Sequence, residues 1–227
     1  ALRGPPSVLW NEPQVRALFA VLLVIITIMS IVLVRSFGMD IQNAVIQAGV
    51  NVTSIMTGTG FSNSDYSMWG PAAILMFLAL IFLSGCAGTT CCGVKLFRYL
   101  IVFAHLRVQV QKLIYPSGIF EPRYAGRKIA DRTSNAVFVF MVLFFSTYAL
   151  SATLLSLSGM DLLTSISGAA TAIANVGPGI GPVIGPAGNF STLPDQAKWI
   201  LTITMYVGRL EIITVLAYAM SWYQARY

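Results

Sequence analysis

The chain predicts an all-α membrane protein built as two tandem units, each a span, a re-entrant half-helix and a second span. Of its 227 residues 56% are hydrophobic and only 10% charged, with a mean hydropathy of +0.76, beyond what a soluble domain of this length shows. Residues 15–34 and 136–157 are apolar runs long enough to cross a hydrocarbon core of roughly 30 Å as helices. Gly38-Met39-Asp40 after the first run returns as Gly159-Met160-Asp161 after the second, the mark of an internal duplication.

The first unit occupies 15–114, behind a polar, Pro-rich segment 1–14 expected on the cytoplasmic side. That segment does not read as a secretory leader, because the apolar run behind it is too long. Starting at Ala1 rather than Met, the chain reads as a fragment. Arg35 closes the first span, where it can snorkel to the interface. Residues 40–56 carry Gln42, Asn43, Gln47 and Asn51 and are too polar to face lipid. They fit a half-helix shielded by protein, since irregular backbone at membrane depth survives only when buried or lining a water-filled path. Asp40 suits its N-terminus, leaving the negative dipole end directed inward, towards a cation. A Thr/Gly tract at 57–62 follows, and 70–83 resumes an apolar helix. Ten small residues, 84–93, then interrupt it and make a poor helix interior. They read either as a close-packing face between membrane helices or as a mobile gate. A helical pattern returns over 94–113.

A basic loop, 115–135, with Arg123, Arg127, Lys128 and Arg132, separates the units. The bias of Lys and Arg to the inner side makes it cytoplasmic. The net charge of +6 therefore reports orientation in a membrane, not a nucleic-acid partner. Asp40, Asp65, Asp161 and Asp195 fall on the opposite, outer side. The second unit, 136–227, has its span at 136–157, a half-helix at 162–174 and a closing helix at 196–220. Between the last two stands Ala174-Asn175-Val176-Gly177-Pro178-Gly179. A cation sheds its water only if backbone carbonyls replace it, and a pore-lining backbone needs glycine where side chains would block the path or φ turns positive. Val176-Gly177-Pro178-Gly179 differs at one position from the Val-Gly-Tyr-Gly of potassium-channel filters. Thr57-Gly58-Thr59-Gly60-Phe61 occupies the same place in the first unit. A phosphate-binding loop does not fit, because no strand precedes the stretch and no Lys follows it. Counted at 1.5 Å per residue, Ser84 below Gly70 and Arg209 below Asp195 lie at a common depth of roughly 21 Å. A buried Arg209 would need acceptors there, and an unwound 84–93 offers free carbonyls.

With these residues in place the chain resembles the Trk/Ktr/HKT superfamily of potassium transporters, and within it the TrkH-type membrane subunit. The resemblance rests on 57–61, on 84–95, on 175–179, on Ala197-Lys198-Trp199 and on Gly208-Arg209-Leu210-Glu211, and covers nearly everything from Val15 onward. It implies four span-pore-span repeats in one polypeptide, of which this chain matches the third and fourth, so that it is half of a potassium-channel-like pore and two further repeats stand upstream of Ala1. It implies a filter in which the carbonyls of Gly58, Thr59 and Gly60 face those of Asn175, Val176 and Gly177 across the pore, with Thr59 and Asn175 fixing the backbone. Gly85, Gly88 and Gly93 of the broken span, with Arg209, become the gate. Further implications are potassium as the transported ion, a plasma-membrane location, a homodimer, and a cytoplasmic nucleotide-binding regulatory subunit of the TrkA kind. A Ser for Gly exchange at the key filter position is one family route to sodium permeation, and both positions here, Gly60 and Gly177, are Gly. Cys91 and Cys92 stand where the family loop is usually richer in glycine, which adds a possible thiol sensitivity.

Two other function classes compete: a two-pore-per-chain potassium channel subunit that dimerises to complete one pore, and a membrane assembly protein that transports nothing. The differing filter tracts argue against the first and the paired half-helices against the second. No nucleophile, base and orienter stand together, so no enzyme, bound cofactor or further metal site is expected. Cys86, Cys91 and Cys92 lack a fourth ligand and read as small buried hydrophobes. His105 reads as a packing or surface residue, Trp69, Trp199 and Trp222 as an interfacial belt, and Glu211 as a pair within the bundle or at a subunit contact.

Overall fold

The computed structural model describes residues 12–210. Glu211, Trp222 and the end of the closing helix lie outside the described residues. Helix α1 (Pro13–Phe37) is the first long apolar helix, and α2 (Ile41–Met56) turns back along it as the half-helix. Helix α3 (Pro71–Phe82) leads into a broken stretch flanked by β1 (Leu83–Ser84) and β2 (Val94–Lys95), and α4 (Leu96–Ile114) continues beyond. After the hairpin β3 (Arg123–Tyr124) and β4 (Arg127–Lys128) come α5 (Asp131–Leu157), the half-helix α6 (Leu162–Ala174) and α7 (Asp195–Arg209). Helices α1 and α5 are each long and apolar enough to cross a membrane.

The repeated Gly-Met-Asp is a cap device. Gly38 (φ 62) and Gly159 (φ 87) take the left-handed conformation that ends α1 and α5, a position glycine fills without a Cβ penalty. Two residues on, the Asp40 carboxylate accepts from the Gln42 amide and that of Asp161 from the Thr164 amide, both at 3.2 Å. Each carboxylate satisfies one of the orphan amides at the start of a half-helix.

The two half-helices are enclosed differently. Every residue of α6 from Thr164 to Ala174 except Ile166 is buried, between α5 and α7. Helix α2 buries Ala44, Ala48, Val52 and Ile55 against α1 and α3 and leaves Ile41, Val45, Ile46 and Val50 exposed. Its polar residues divide likewise. Gln42 and Asn43 are exposed, whereas Asn51 is wholly buried, donating to Ser64 Oγ at 2.8 Å and accepting from the Asn63 amide at 3.3 Å. Asn51 thus ties the half-helix to the chain returning from its tip.

Two expectations need correction. Trp69 is not an interfacial anchor; it is buried and packs edge-on against Phe77, which also stacks on Tyr66 at 4.2 Å. Trp199, by contrast, is 70% exposed. Helix α5 starts at Asp131, inside the stretch 115–135 read as loop. Its polar first turn is held by α4, where His105 shares a 2.7 Å hydrogen bond with buried Ser134 and sits edge-on to Phe138. The rest of that loop contains the hairpin, closed by Ala125 and Gly126, both at positive φ, as a two-residue turn requires. Tyr124 donates to Glu12 Oε1 at 2.9 Å, fastening the hairpin to the start of α1. Burial first, then this bond, pushes its phenol up to about 12. Asn51→Ala would leave the Asn63 amide short of its acceptor and lower stability by about 1–3 kcal/mol, read as a fall in the unfolding midpoint in detergent; an unchanged midpoint would show that the tie is dispensable.

Candidate functional site: paired half-helix termini

Both half-helices end in the same backbone motif. At the end of α2, Gly58 (φ 67) donates to Ile55 O at 3.1 Å and Thr59 to Ser54 O at 2.9 Å. At the end of α6, Asn175 (φ 52) donates to Ala172 O at 3.2 Å and Val176 to Thr171 O at 3.1 Å. These are the paired bonds of a Schellman cap, with a left-handed residue at its centre. The register that follows makes Gly58 equivalent to Asn175, Thr59 to Val176 and Gly60 to Gly177. Asn is one of the few residues besides glycine that enters the left-handed region readily, and Asn175 is fixed there by donating through Nδ2 to Met205 O at 3.1 Å. Thr59 Oγ1 meets Thr57 Oγ1 at 2.8 Å, and the Gly177 amide donates to Thr171 Oγ1 at 3.0 Å.

The amides of these tracts are therefore engaged. Their carbonyls are not: among the described residues no hydrogen bond ends on the carbonyls of Gly58, Thr59, Gly60, Asn175, Val176 or Gly177. A row of unspent carbonyls, next to the negative ends of two helix dipoles, has the chemistry to hold a cation.

The tracts lie side by side. A Cβ on Gly60 would stand 2.2 Å from Val176 O, and one on Gly177 would be 4.0 Å from Gly60 Cα. This corrects the expectation that the two face each other across a pore: no ion fits between chains in van der Waals contact, so they are immediate neighbours. The mouth of the second tract is stapled to the first unit. Tyr66 donates to Gly179 O at 3.0 Å, and the Gly181 amide donates to Ser67 Oγ at 3.0 Å. From α6, Ser167 Oγ lies 3.1 Å from Ile180 O and 3.2 Å from the Ile180 amide. A Cβ on Gly208 would stand 2.1 Å from Ile173 O, so α7 presses directly on the end of α6. Tyr66, Ser67, Ser167, Thr171 and Gly208 were not recognised as site residues from sequence; only Gly208 carried a signal, as the small residue beside Arg209.

Below the tracts, β1 and β2 pair in parallel, and the Leu96 amide donates to Gly85 O at 3.2 Å. Residues 85–93 thus leave and rejoin the path from α3 to α4 through one neck. Gly85 and Gly93 pack tightly at that neck, and Gly88 takes φ 86 at the far turn. The loop has three outside contacts. Ala87 donates to Gln14 Oε1 at 2.8 Å, and Cys91 Sγ donates to Thr57 O at 2.9 Å. Arg209 Nη1 donates to Thr90 O and to Cys92 Sγ, each at 3.1 Å. The acceptors expected for Arg209 are therefore at the expected level, although its side chain is exposed rather than buried among the described residues. The three cysteines are free and half-buried, not core residues.

The TrkH family of cation transport proteins matches residues 9–224 of the chain. This chain belongs to that family. It is 46% identical over 215 residues to the Trk system potassium uptake protein TrkI of Halomonas elongata, covering 95% of this chain and 44% of that protein. To the Trk system potassium uptake protein TrkH of Vibrio parahaemolyticus it is 31% identical, covering 93% and 43%. The crystal structure of the potassium transporter TrkH from Vibrio parahaemolyticus superposes with a TM-score of 0.86 at 28% identity, covering 93% of this chain and 45% of that one. The chain thus spans less than half the length of the curated relatives it matches. These relatives are uptake proteins, not enzymes, and the TrkH family membership fits the apolar helices of a membrane protein.

Gly60→Ala would drive a Cβ into Val176 O from a positive-φ position, and a clear loss of stability, read as a fall in the unfolding midpoint in detergent, is expected. Gly38→Ala, which meets nothing within 4 Å, serves as the comparison: equal loss in both would mean that the contact between the tracts is not what matters.

Proposed function

We propose that this chain forms the third and fourth pore repeats of a potassium uptake protein of the plasma membrane. The observation that carries the reading is the pair of Schellman-capped half-helices, set side by side with six unspent carbonyls. In a ring completed by two further repeats, these carbonyls replace the hydration shell of a potassium ion. The exposed face of α2, and a hollow of about 420 Å³ beside it lined by Val50, Thr53, Thr57, Thr59 and Phe61, is where the neighbouring repeat seats. The relatives' greater length supports this over a channel whose two copies each supply two pore segments.

Loop 85–93, held under the filter by Arg209, is the gate: its backbone and the guanidinium obstruct and repel a cation until the contact is broken. The basic segment 115–135 lies on the cytoplasmic side. The complete protein works as a homodimer with a cytoplasmic nucleotide-binding subunit, whose natural attachment to the gate runs through α4 and the hairpin.

The test is rubidium and sodium uptake into vesicles carrying the protein with whatever segments its reading frame adds. Rubidium is expected to be strongly preferred, and no preference over sodium would overturn the filter reading. Gly177→Ser, placing a side chain at φ 116, is expected to erode that preference. Arg209→Ala is expected to raise flux severalfold without changing the rubidium-to-sodium ratio; unchanged flux would remove Arg209 from the gate.

A further inference from the structure

The two adjacent thiols of loop 85–93 do different things. Cys91 points up, donating to the Thr57 carbonyl at the foot of the first tract. Cys92 faces the closing helix, where its sulfur accepts from Arg209 Nη1 at 3.1 Å while its own S–H lies 3.6 Å from Thr90 O. The same Arg209 nitrogen donates to Thr90 O at 3.1 Å. Cys92, Thr90 and Arg209 are thus one cluster, in which the sulfur supplies one of the two acceptors that hold the guanidinium. Among the described residues Cys92 is free and only half-buried, and Thr90 and Arg209 beside it are exposed. A partly exposed thiol in electropositive surroundings is the kind that reacts, and thiol sulfur is only a weak acceptor. A serine hydroxyl would hold Arg209 better; the sulfur adds reactivity.

We propose that Cys92 is a modification site for small disulfides and related thiol-directed electrophiles, and that capping its sulfur frees Arg209 and loosens the loop. In the step itself the Cys92 sulfur bonds to one sulfur of R–S–S–R and the original S–S bond breaks. The departing sulfur takes the electron pair and the proton given up by Cys92, leaving a mixed disulfide and one R–SH. Cys92 is oxidised and the leaving sulfur reduced, and excess thiol reverses the exchange. Capping removes the S–H donor and crowds the guanidinium off the sulfur. Cys86 has no described contact with Arg209, and capping it leaves the cluster intact. The inference rests on the gate reading for its effect on flux, but not for the chemistry at the sulfur.

The test treats the protein in vesicles with methyl methanethiosulfonate, which adds a neutral S-methyl group, and reads adducts by peptide mass mapping and transport by rubidium flux. Cys92 is expected to carry the adduct. Flux is expected to rise about fivefold, the shift that follows loss of one hydrogen bond of ordinary net strength, and dithiothreitol should restore the starting rate. Cys92→Ser and Cys92→Ala should not respond, whereas Cys86→Ser should respond like the unsubstituted protein. Labelling confined to Cys86 or Cys91, or a response surviving in both Cys92 variants, would overturn the proposal. So would an adduct at Cys92 that leaves flux unchanged in a protein whose Arg209→Ala variant is faster. If Arg209→Ala itself leaves flux unchanged, the gate reading fails, and the adduct map alone then decides whether Cys92 is the reactive thiol.

Discussion

Two stretches of bare backbone touch at the centre of this molecule, Gly60 against the Val176 carbonyl, and most of the surrounding architecture exists to hold them there. Contact between peptide groups without intervening side chains has little hydrophobic surface to stabilise it. Its geometry has to be imposed by the half-helices that deliver each tract and by the elements that fix those half-helices. Asp40 and Asp161 start the two helices alike, and Gly58 and Asn175 end them alike. Gly208 then allows α7 to lie directly on the carbonyl of Ile173, while Tyr66 and Ser67 carry the mouth of the second tract into the buried cluster of the first unit. Rigid placement of this kind is what backbone carbonyls need if they are to stand in for water around an ion without reorganising.

The internal repeat is kept at the ends of the half-helices and broken beyond them. The capping residues and the two Schellman bonds recur in both units. Among the described residues the excursion 85–93 has no counterpart in the second unit, and the arginine that meets it belongs to that unit. The small residues of 84–93 follow from this division. They suit a segment that must leave the helix, turn at Gly88 and rejoin at one neck, not a packing face, for none of residues 86–92 is buried.

Much of this was legible in the sequence because it rests on local chemistry. The half-helix 162–174 follows from its flanking Asp161 and Asn175, and the break at 84–93 from composition. The span α5 was recognised but started late, because Arg132, Thr133, Ser134 and Asn135 look like loop until α4 is present to bind Ser134. What could not be read was relative placement. Sequence equivalence pairs Gly60 with Gly177 but does not say whether the two stand opposite or adjacent. That depends on contacts more than a hundred residues apart, Tyr66 to Gly179 and Ser67 to Gly181. Trp69 was assigned to the interface on residue type, where its packing on Phe77 decides otherwise.

The second tract and the loop also differ in how firmly they are held, and the difference is physical. The second tract is pinned by hydroxyls from Tyr66, Ser67, Ser167 and Thr171, and its Val176 and Ile180 are buried in the main apolar cluster. Moving it would expose that core. Beyond its neck the loop is held, among the described residues, by hydrogen bonds to Gln14, Thr57 and Arg209, and none of residues 86–92 is buried. Segments with few buried contacts open at low free-energy cost, and moving parts are drawn from them. A firmly held tract and a loosely held loop thus lie within a few residues of each other, Thr57 being the point where they touch. Because Cys91 occupies the Thr57 carbonyl, the row of carbonyls that accept no hydrogen bond among the described residues begins one residue later, at Gly58.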